Sequence, residues 1–431
     1  MKAAPISSRI AVLALSLLLP ALARAQAAPL TLAEAEDSAR TRQPDLARAR
    51  SNTAAAAARV EQAYAPLLPQ LATSAGYALQ TNNSTAVPGN NSWAPTNRFT
   101  FAVSASETIW DFGSNWYRYK ASGASLESQK QTEATQLSLA VLQARASFFQ
   151  ARAGRALVKV AEENLASQLR HLEQIDGFVR AGTRPEIDLA QVRADVANAR
   201  LQLVNAQNTY AQAKAELNQA MGVERSTEYE VADEQLPALE GEDASEEALV
   251  EQAVKTRPEM HALEQQAVAQ GLQIRSTQAN YWPSVGVSTG LNNVGIDSLV
   301  DTAWNWNLGA TLTWSFYTGG STRAQVRELE AGKSGLEAQL SSQRQQVRLE
   351  VVKARLGLVA AKASVEATAQ AVENTRQRQT LAEARYQAGV GSILELQDAQ
   401  VAGTNAQGQA IQAAFNVSLA RAQLLRALGR D

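Results

Sequence analysis

Hydrophobic and polar residues alternate along four short stretches of this chain. Between Trp304 and Trp314 every second residue is Trp, Leu or Ala, and the residues between them are Asn, Gly or Thr. A period of two predicts a β-strand with one apolar face and one polar face. The alternation predicts four strands, at about residues 71–80, 98–110, 284–292 and 303–316.

Two very long stretches have the pattern of helices instead. Residues 113–178 and 321–386 contain no Pro and are rich in Ala, Gln, Glu, Leu and Arg, which favour helix. A helix of this length is a rod of about 100 Å at 1.5 Å per residue. The second stretch carries two apolar seams: Val347, Val351, Ala354, Leu358, Ala361 and Val365 form one, and Leu349, Val352, Leu356, Val359 and Ala363 form the other. Two seams predict a neighbour on each side, as in a ring of helices.

Landmark residues recur in the same order about 200 positions apart. The pairs are Pro44 and Pro258, Trp110 and Trp314, Gly182 and Gly389, and Gly222 and Gly429. We therefore predict two tandem repeats, residues 26–222 and 246–431, each with a helix, two strands, a very long helix, a turn and a helix. An acidic connector, residues 223–245, joins them, and residues 1–25 have the features of a signal peptide.

Composition excludes several classes of function. The 431 residues include no Cys, so disulfides, thiolate metal sites and Cys nucleophiles are absent. A formal charge of -2 gives no general attraction to nucleic acid. We expect the two histidines, His171 and His261, to be solvated on helix faces, with no metal site. With no cofactor motif and no nucleophile constellation, we do not expect an enzyme.

The strands favour the wall of a transmembrane barrel, with interfacial Trp residues, over one face of a soluble sandwich. Four strands cannot close a barrel, and unpaired strand edges are not tolerated in lipid. Several chains must then share one barrel, and three chains would supply twelve strands. A soluble bundle with an Ala-rich core would explain the helical seams nearly as well. The alternative function is therefore a periplasmic coiled-coil scaffold or adaptor without channel activity.

The chain from about Leu30 to Arg430 resembles outer-membrane efflux proteins of the TolC type. The resemblance is carried by the duplicated plan, by WDFG and WSFYTGG where strands lead into long helices, and by the turns AGTRPEIDLAQ and AGVGSILELQDAQ. It implies a mainly α fold with a small transmembrane β part. It also implies a homotrimer in which a twelve-strand barrel in outer-membrane lipid continues into a twelve-helix periplasmic barrel.

The resemblance further implies a function and partners. The trimer would be the exit duct of a tripartite efflux pump or a type I secretion system. It would work with a periplasmic adaptor, or membrane fusion protein, and with an inner-membrane pump or ABC transporter. The location would be the outer membrane of a Gram-negative bacterium, with an extension into the periplasm.

Candidate site residues cluster at the two turns. Glu395 and Asp398 are three residues apart on one predicted helix, so they share a face, and three copies would form a ring of six carboxylates that attracts cations. The resemblance places this ring at the periplasmic entrance and implies that hydrogen bonding by Tyr386 and Asp188 helps to hold the entrance shut.

The resemblance also implies that the turns dock the adaptor, through Gly182, Thr183, Gly389, Val390 and Gly391. The best-known member of the family has an arginine where this chain has Gly391. Arg180 and Arg184 are the cations that could replace it, and we expect both to be solvated residues of the tip.

Overall fold

The computed structural model describes residues 29–81, 95–224, 226–297 and 302–430. The predicted signal peptide lies outside these residues. Within the described ranges, no helix is long and apolar enough to cross a membrane.

Eight helices and four strands make up the described chain. The first half contains α1 (Leu32–Arg42), α2 (Pro44–Tyr64), β1 (Gln70–Thr81), β2 (Pro95–Trp110), α3 (Ser114–Arg180) and α4 (Glu186–Met221). The second half contains α5 (Glu246–Thr256), α6 (Pro258–Ala279), β3 (Ser284–Ile296), β4 (Thr302–Thr313), α7 (Ser321–Gln387) and α8 (Ile393–Ala427). A short 3₁₀ turn, Ala65–Leu67, precedes β1. The element order is the same in both halves, and α3 and α7 each have 67 residues.

Local sequence explains where the helices begin. Thr31 accepts a hydrogen bond from the backbone N–H of Glu34 and completes a capping box at the start of α1. Pro44 and Pro258 each occupy the first turn of a helix, where the missing N–H costs nothing. Gly113 and Gly320 precede α3 and α7 with φ of 85° and 83°, a left-handed conformation that glycine adopts without strain.

The four strands form one antiparallel sheet in the order β1-β2-β3-β4. Val103 lies opposite Leu291, and Leu291 lies opposite Trp306, so the alternating apolar residues of three strands share one face. The neighbouring row, which faces the other way, is small and polar: Ser104, Gly290 and Asn307. Leu71, Tyr77, Leu79, Trp304, Trp306, Leu308 and Leu312 are among the apolar side chains that are exposed on the sheet.

Three strand ends differ from the predicted ones by three residues or more, and one of them is the start of β2, at Pro95 instead of residue 98. β3 continues beyond residue 292 to Ile296, because Asn293 pairs with Trp304 and donates its side-chain amide to the Thr302 hydroxyl at 2.9 Å. β4 ends at Thr313 instead of residue 316. The indole of Trp314 donates to the carbonyl oxygen of Tyr281 at 3.2 Å, which draws the chain toward the end of α6.

The two seams predicted for α7 have different environments within one chain. Val347, Val351, Leu358 and their neighbours are buried against α5 and α8. Leu349, Leu356 and Val359 of the second seam are exposed, and Leu356 is 58% exposed. One side of α7 is therefore covered by its own chain, and the other side has no cover from the described residues.

The acidic connector lies against the middle of the long helices. Leu30 and Val231 form a parallel bridge, in which the Leu30 N–H donates to the Glu230 carbonyl at 2.8 Å. Glu242 is buried and accepts hydrogen bonds or ion pairs from Lys362 at 2.7 Å and Arg421 at 3.2 Å. The connector is thus bound to α7 and α8 by charged groups.

Candidate functional site: the two helix tips

The turn between α3 and α4 is held by its own backbone. Gly182 has φ of 71°, and its N–H donates to the Val179 carbonyl at 3.0 Å. The carbonyl oxygen of Phe178 accepts both the N–H and the hydroxyl of Thr183, at 3.0 and 2.9 Å. This turn reverses the chain and leaves Gly182 and Thr183 exposed.

The turn between α7 and α8 is closed in a similar way. Gly389 has φ of 78°, and the carbonyl oxygen of Arg385 accepts the N–H groups of Val390 and Gly391 at 3.1 and 2.9 Å. The Ser392 hydroxyl then caps α8 by accepting the N–H of Glu395 at 3.1 Å. Gly389 and Val390 are exposed and Gly391 is half-buried.

A side chain at Gly391 would make tight contacts with its own turn. A Cβ atom there would lie 3.0 Å from the backbone nitrogen of Tyr386 and 3.1 Å from two atoms of Arg385. The arginine that the family's best-known member has at this position would require this turn to shift.

Four helices meet just above the turns in a small apolar cluster, which we call the tip cluster. Its buried members are Ile175, Val192, Ala382, Tyr386, Leu396 and Ala399. They come from α3, α4, α7 and α8, so the two hairpins pack against each other through this cluster. Deeper in the same interface, the buried side chains of Gln168 and Gln400 share a hydrogen bond of 3.0 Å.

Tyr386 is the largest side chain of the tip cluster and is only 3% exposed. Its hydroxyl has no hydrogen-bond partner among the described residues. The guanidinium carbon of Arg184 lies 4.7 Å from the centre of its ring, within the range of a cation–π contact. Burial raises the pKa of Tyr386; Arg184 acts in the opposite direction, and the charge of Asp188 adds to the rise.

Asp188, in the first turn of α4, is half-buried and close enough to influence Tyr386 electrostatically. No hydrogen bond joins the two side chains in the described part of the chain. The predicted role of this pair in closing the entrance therefore stays a prediction, and a different neighbour, Arg184, contacts the tyrosine ring.

The expectation that His171 is solvated is wrong. His171 is 6% exposed, its ring lies edge-on to the ring of Tyr386 with centres 5.5 Å apart, and its Nε2 has no hydrogen-bond partner among the described residues. Burial lowers its pKa, while Gln174, Glu383 and Asp195 act in the opposite direction. His171 therefore lies on α3 beside Tyr386 of α7, where the two hairpins meet. His261 is more exposed, and its Nδ1 lies 3.2 Å from Glu264.

The two candidate acids lie at the start of α8. Glu395 is half-buried, and one of its oxygens lies 3.5 Å from Nη1 of Arg385 on the same hairpin. Asp398 is exposed. Within one chain Glu395 therefore already has a positive partner, and a ring of acids would require the copies of other chains.

Sequence reasoning did not single out Arg385, and it wrongly expected Arg184 and His171 to be solvated. Arg184 and Tyr386 are far apart in the chain, and no periodicity links a turn residue to a helix residue of the other hairpin. His171 had a detectable signal, since it lies four residues before Ile175 and so on the same helix face. No group of three or more His, Asp or Glu residues suited to a metal ion occurs among the described residues.

Comparison with known proteins identifies the family. A family model described as outer membrane efflux protein matches residues 36–223 and 249–430, one segment in each half of the chain. The chain belongs to this family. It is accordingly an outer-membrane protein with a periplasmic extension, and the related proteins are efflux channels rather than enzymes.

Two curated relatives and one solved structure illustrate the similarity. The pyoverdine export outer membrane protein OpmQ of Pseudomonas aeruginosa is 26% identical over 392 residues, which are 87% of this chain and 81% of OpmQ. Protein CyaE of Bordetella pertussis is 25% identical over 403 residues, 93% of this chain and 84% of CyaE. The crystal structure of the outer membrane protein VceC of Vibrio cholerae matches the fold with a TM-score of 0.80 and 18% identity, covering 93% of this chain and 96% of VceC.

Proposed function

We propose that three copies of this chain form a channel-tunnel that serves as the exit duct of a tripartite efflux pump or type I secretion system. The periplasmic adaptor would dock at the two tips, through Gly182, Thr183, Gly389, Val390 and Gly391. An inner-membrane pump or ABC transporter would supply the energy. The name of OpmQ, which refers to pyoverdine export, supports an export role for a related chain.

The sheet is the observation that carries this proposal. Its outer strands, β1 and β4, each pair on one side only among the described residues, and its apolar face is exposed. Lipid does not tolerate unpaired strand edges, so the edge of one copy must pair with the edge of the next. Eight strands are the usual minimum for a membrane barrel, and three copies supply twelve.

The helices support the same assembly. Within one chain α2 packs against α3, α3 against α6, and α6 against α7, so four helices lie side by side. The uncovered seam of α7, with Leu349, Leu356 and Val359, is available for a helix of another copy. Three copies would close a barrel of twelve helices, built from the repeats at residues 26–222 and 246–431 with residues 223–245 as a belt.

A periplasmic scaffold without a channel fits these observations less well, because an exposed apolar sheet serves no purpose in water. Extraction of membranes separates the two functions. Release by salt or osmotic shock would indicate the scaffold, whereas a requirement for detergent would support the duct.

The decisive experiment is single-channel conductance in a planar bilayer. We expect a cation-selective pore whose selectivity and block by divalent cations weaken in the Glu395→Ala/Asp398→Ala variant. The matched control is Glu366→Ala/Glu373→Ala, which removes two exposed acids from α7 away from the tip. Equal selectivity in all three proteins would refute the acidic ring but not the duct. A well-folded trimer that shows no conductance, even with tip substitutions at Tyr386 and Asp188, would refute the duct.

A further inference from the structure

The two arginines of the α3–α4 tip have different surroundings. Arg180 pairs with Asp176, one turn earlier on its own helix, and its side chain is 79% exposed. Arg184 is half-buried, and its guanidinium carbon lies 4.7 Å from the centre of the Tyr386 ring. Arg184 belongs to one hairpin and Tyr386 to the other, so only this arginine forms a contact between the hairpins.

The turn that carries Arg184 is fixed on both sides. Before it, the N–H and hydroxyl of Thr183 both donate to the Phe178 carbonyl. After it, Pro185 stands at the N-terminus of α4 with φ of -76°, which its ring enforces. The backbone position of Arg184 is therefore set by a turn with little freedom, which reduces the backbone entropy lost when the contact forms.

The surroundings favour a contact with the ring face. Tyr386 is buried and its hydroxyl has no partner among the described residues, so the ring itself provides the attraction. In the same described ranges no carboxylate lies within ion-pair distance of Arg184. A cation–π contact strengthens when both groups are shielded from water.

This chain supplies no positive charge to the ring from position 391, which is glycine. A Cβ atom at Gly391 would lie 3.0 Å from the backbone nitrogen of Tyr386 and 3.1 Å from two atoms of Arg385, so a larger residue would require these neighbours to move by a few tenths of an ångström. Arg385, the arginine of the α7–α8 hairpin next to the turn, is directed to Glu395 at 3.5 Å. The cation that acts on Tyr386 is therefore supplied by the other hairpin.

We propose that Arg184 is a positioning residue that clamps the α3–α4 hairpin to the α7–α8 hairpin by acting through the ring of Tyr386. Weakening this contact lets the hairpins separate at their tips. The further step, that separation opens the entrance of the duct, rests on the proposed function.

The clamp can be tested without any channel measurement. The chain has no Cys, so a single introduced thiol has no background. Ala399 is fully buried in the tip cluster, and Ala399→Cys places a small thiol between the hairpins. A thiol reagent modifies such a residue only when the hairpins part, so the modification rate in the purified protein reports separation of the tips.

In the Ala399→Cys background, Arg184→Gln should raise the modification rate about tenfold, the factor that corresponds to 1.4 kcal/mol. Arg184→Lys keeps the charge and should raise it less. Arg180→Gln is the matched control and should leave the rate unchanged. Tyr386→Phe keeps the ring and should also leave the modification rate unchanged. Tyr386→Leu removes the ring, and in that variant Arg184→Gln should cause no further rise in the modification rate.

An unchanged rate in Arg184→Gln, or an equal rise in Arg180→Gln, overturns the clamp. If Tyr386→Leu does not fold, Tyr386→Phe still tests the role of the ring. A higher modification rate in Tyr386→Phe would mean that the hydroxyl, and not the ring, makes the contact. Conductance is measured separately on the same variants. A faster modification rate with unchanged conductance would keep the clamp and refute the gate at the tips.

Discussion

Gly222 lies directly against the backbone of Arg42: a Cβ atom at residue 222 would be 2.6 Å from the Arg42 carbonyl oxygen. Gly222 ends α4 with φ of 68°, and it rests on the junction between α1 and α2. In the second half Gly429 lies against the junction between α5 and α6, and a Cβ atom at residue 429 would be 3.0 Å from the Thr256 hydroxyl oxygen. Of the paired glycines found in the sequence, Gly222 and Gly429 are therefore points of close helix approach.

Gly222→Ala should destabilise the protein by more than about 3 kcal/mol, since the left-handed conformation costs a non-glycine residue about 1–2 kcal/mol and the clash adds to it. Gly241→Ala is the matched control. Gly241 has φ of 78° but open space around its Cβ position, so only the conformational cost applies. Thermal unfolding of both variants measures the difference, and equal losses would show that the close approach has no energetic weight.

Glu242 gives the connector a pH-dependent attachment. Burial acts to raise the pKa of Glu242. Hydrogen bonds from Lys362, the Leu239 N–H and Arg421 outweigh burial and lower this pKa to about 2, from an ordinary value of 4.5. A carboxyl group with a lowered pKa contributes stability that is complete above pH 4.5 and is lost as the pH falls toward 2.

Glu242→Gln should therefore cost about 3 kcal/mol at neutral pH, and the variant should lose less stability than the parent between pH 4.5 and pH 2. Limited proteolysis of the connector and denaturant unfolding across this range measure both effects. Glu240→Gln, at an exposed neighbouring position, should behave like the parent. The same pH profile for Glu242→Gln and the parent would contradict the assignment.

His171 should make the tip sensitive to acid. Burial holds its pKa below the ordinary 6.5, against the opposing influence of Glu383 on α7 and Asp195 on α4, so the folded tip favours the neutral ring. The stability of this state is complete above pH 6.5 and is lost as the pH falls through the lowered pKa. A protonated imidazole would also lie beside Tyr386, which already has a cation, Arg184, over its ring.

The modification rate of Ala399→Cys, corrected for the pH dependence of the thiol itself, should therefore rise as the pH falls below 6.5. His171→Gln, which cannot gain a proton in this range, should abolish the rise. His261→Gln, at a more exposed histidine on α6, is the control and should keep it. A rise that survives His171→Gln would assign the acid response to another group.

Much of the fold could be predicted because its causes are local. Alternation over about ten residues predicted the strands, and the register confirms that Val103, Leu291 and Trp306 share one face. The two seams of α7 were also predictable, since a helix displays its periodicity whether or not the neighbour is known. Which seam the chain buries itself, the one with Val347 and Val351, depended on where α5 and α8 pack.

The site was less predictable because its contacts join distant segments. Turn chemistry predicted that Gly182 and Gly389 reverse the chain. It carried no information that Arg184 would reach Tyr386 or that Arg385 would pair with Glu395. An arginine in a polar turn is usually solvated, and only the packing of two hairpins showed which of the two tip arginines is not.

Arg385 sets the charge of the proposed acidic ring. Its Nη1 lies 3.5 Å from Glu395, so each copy offsets part of its own negative charge. Arg385→Gln should raise the cation selectivity of the pore, because the carboxylates lose a nearby positive group. Arg378→Gln, an exposed arginine two turns earlier on α7, is the control. Reversal potentials in a salt gradient measure the change, and an equal shift in both variants would point to a general charge effect.

The two faces of the sheet predict that adjacent residues of one strand differ sharply in how well they tolerate an introduced charge. Leu308 and Asn307 are neighbours on β4, but Leu308 belongs to the apolar face and Asn307 to the small, polar face. If the apolar face contacts lipid, Leu308→Arg costs about 2–4 kcal/mol per copy near the middle of the membrane, and the assembly carries the substitution in every copy. Asn307→Arg introduces the same charge on the polar face, where water is available. Leu308→Arg should therefore reduce the amount of protein in purified outer membranes several-fold, while Asn307→Arg is tolerated. The opposite ranking would mean that the apolar face is turned away from lipid.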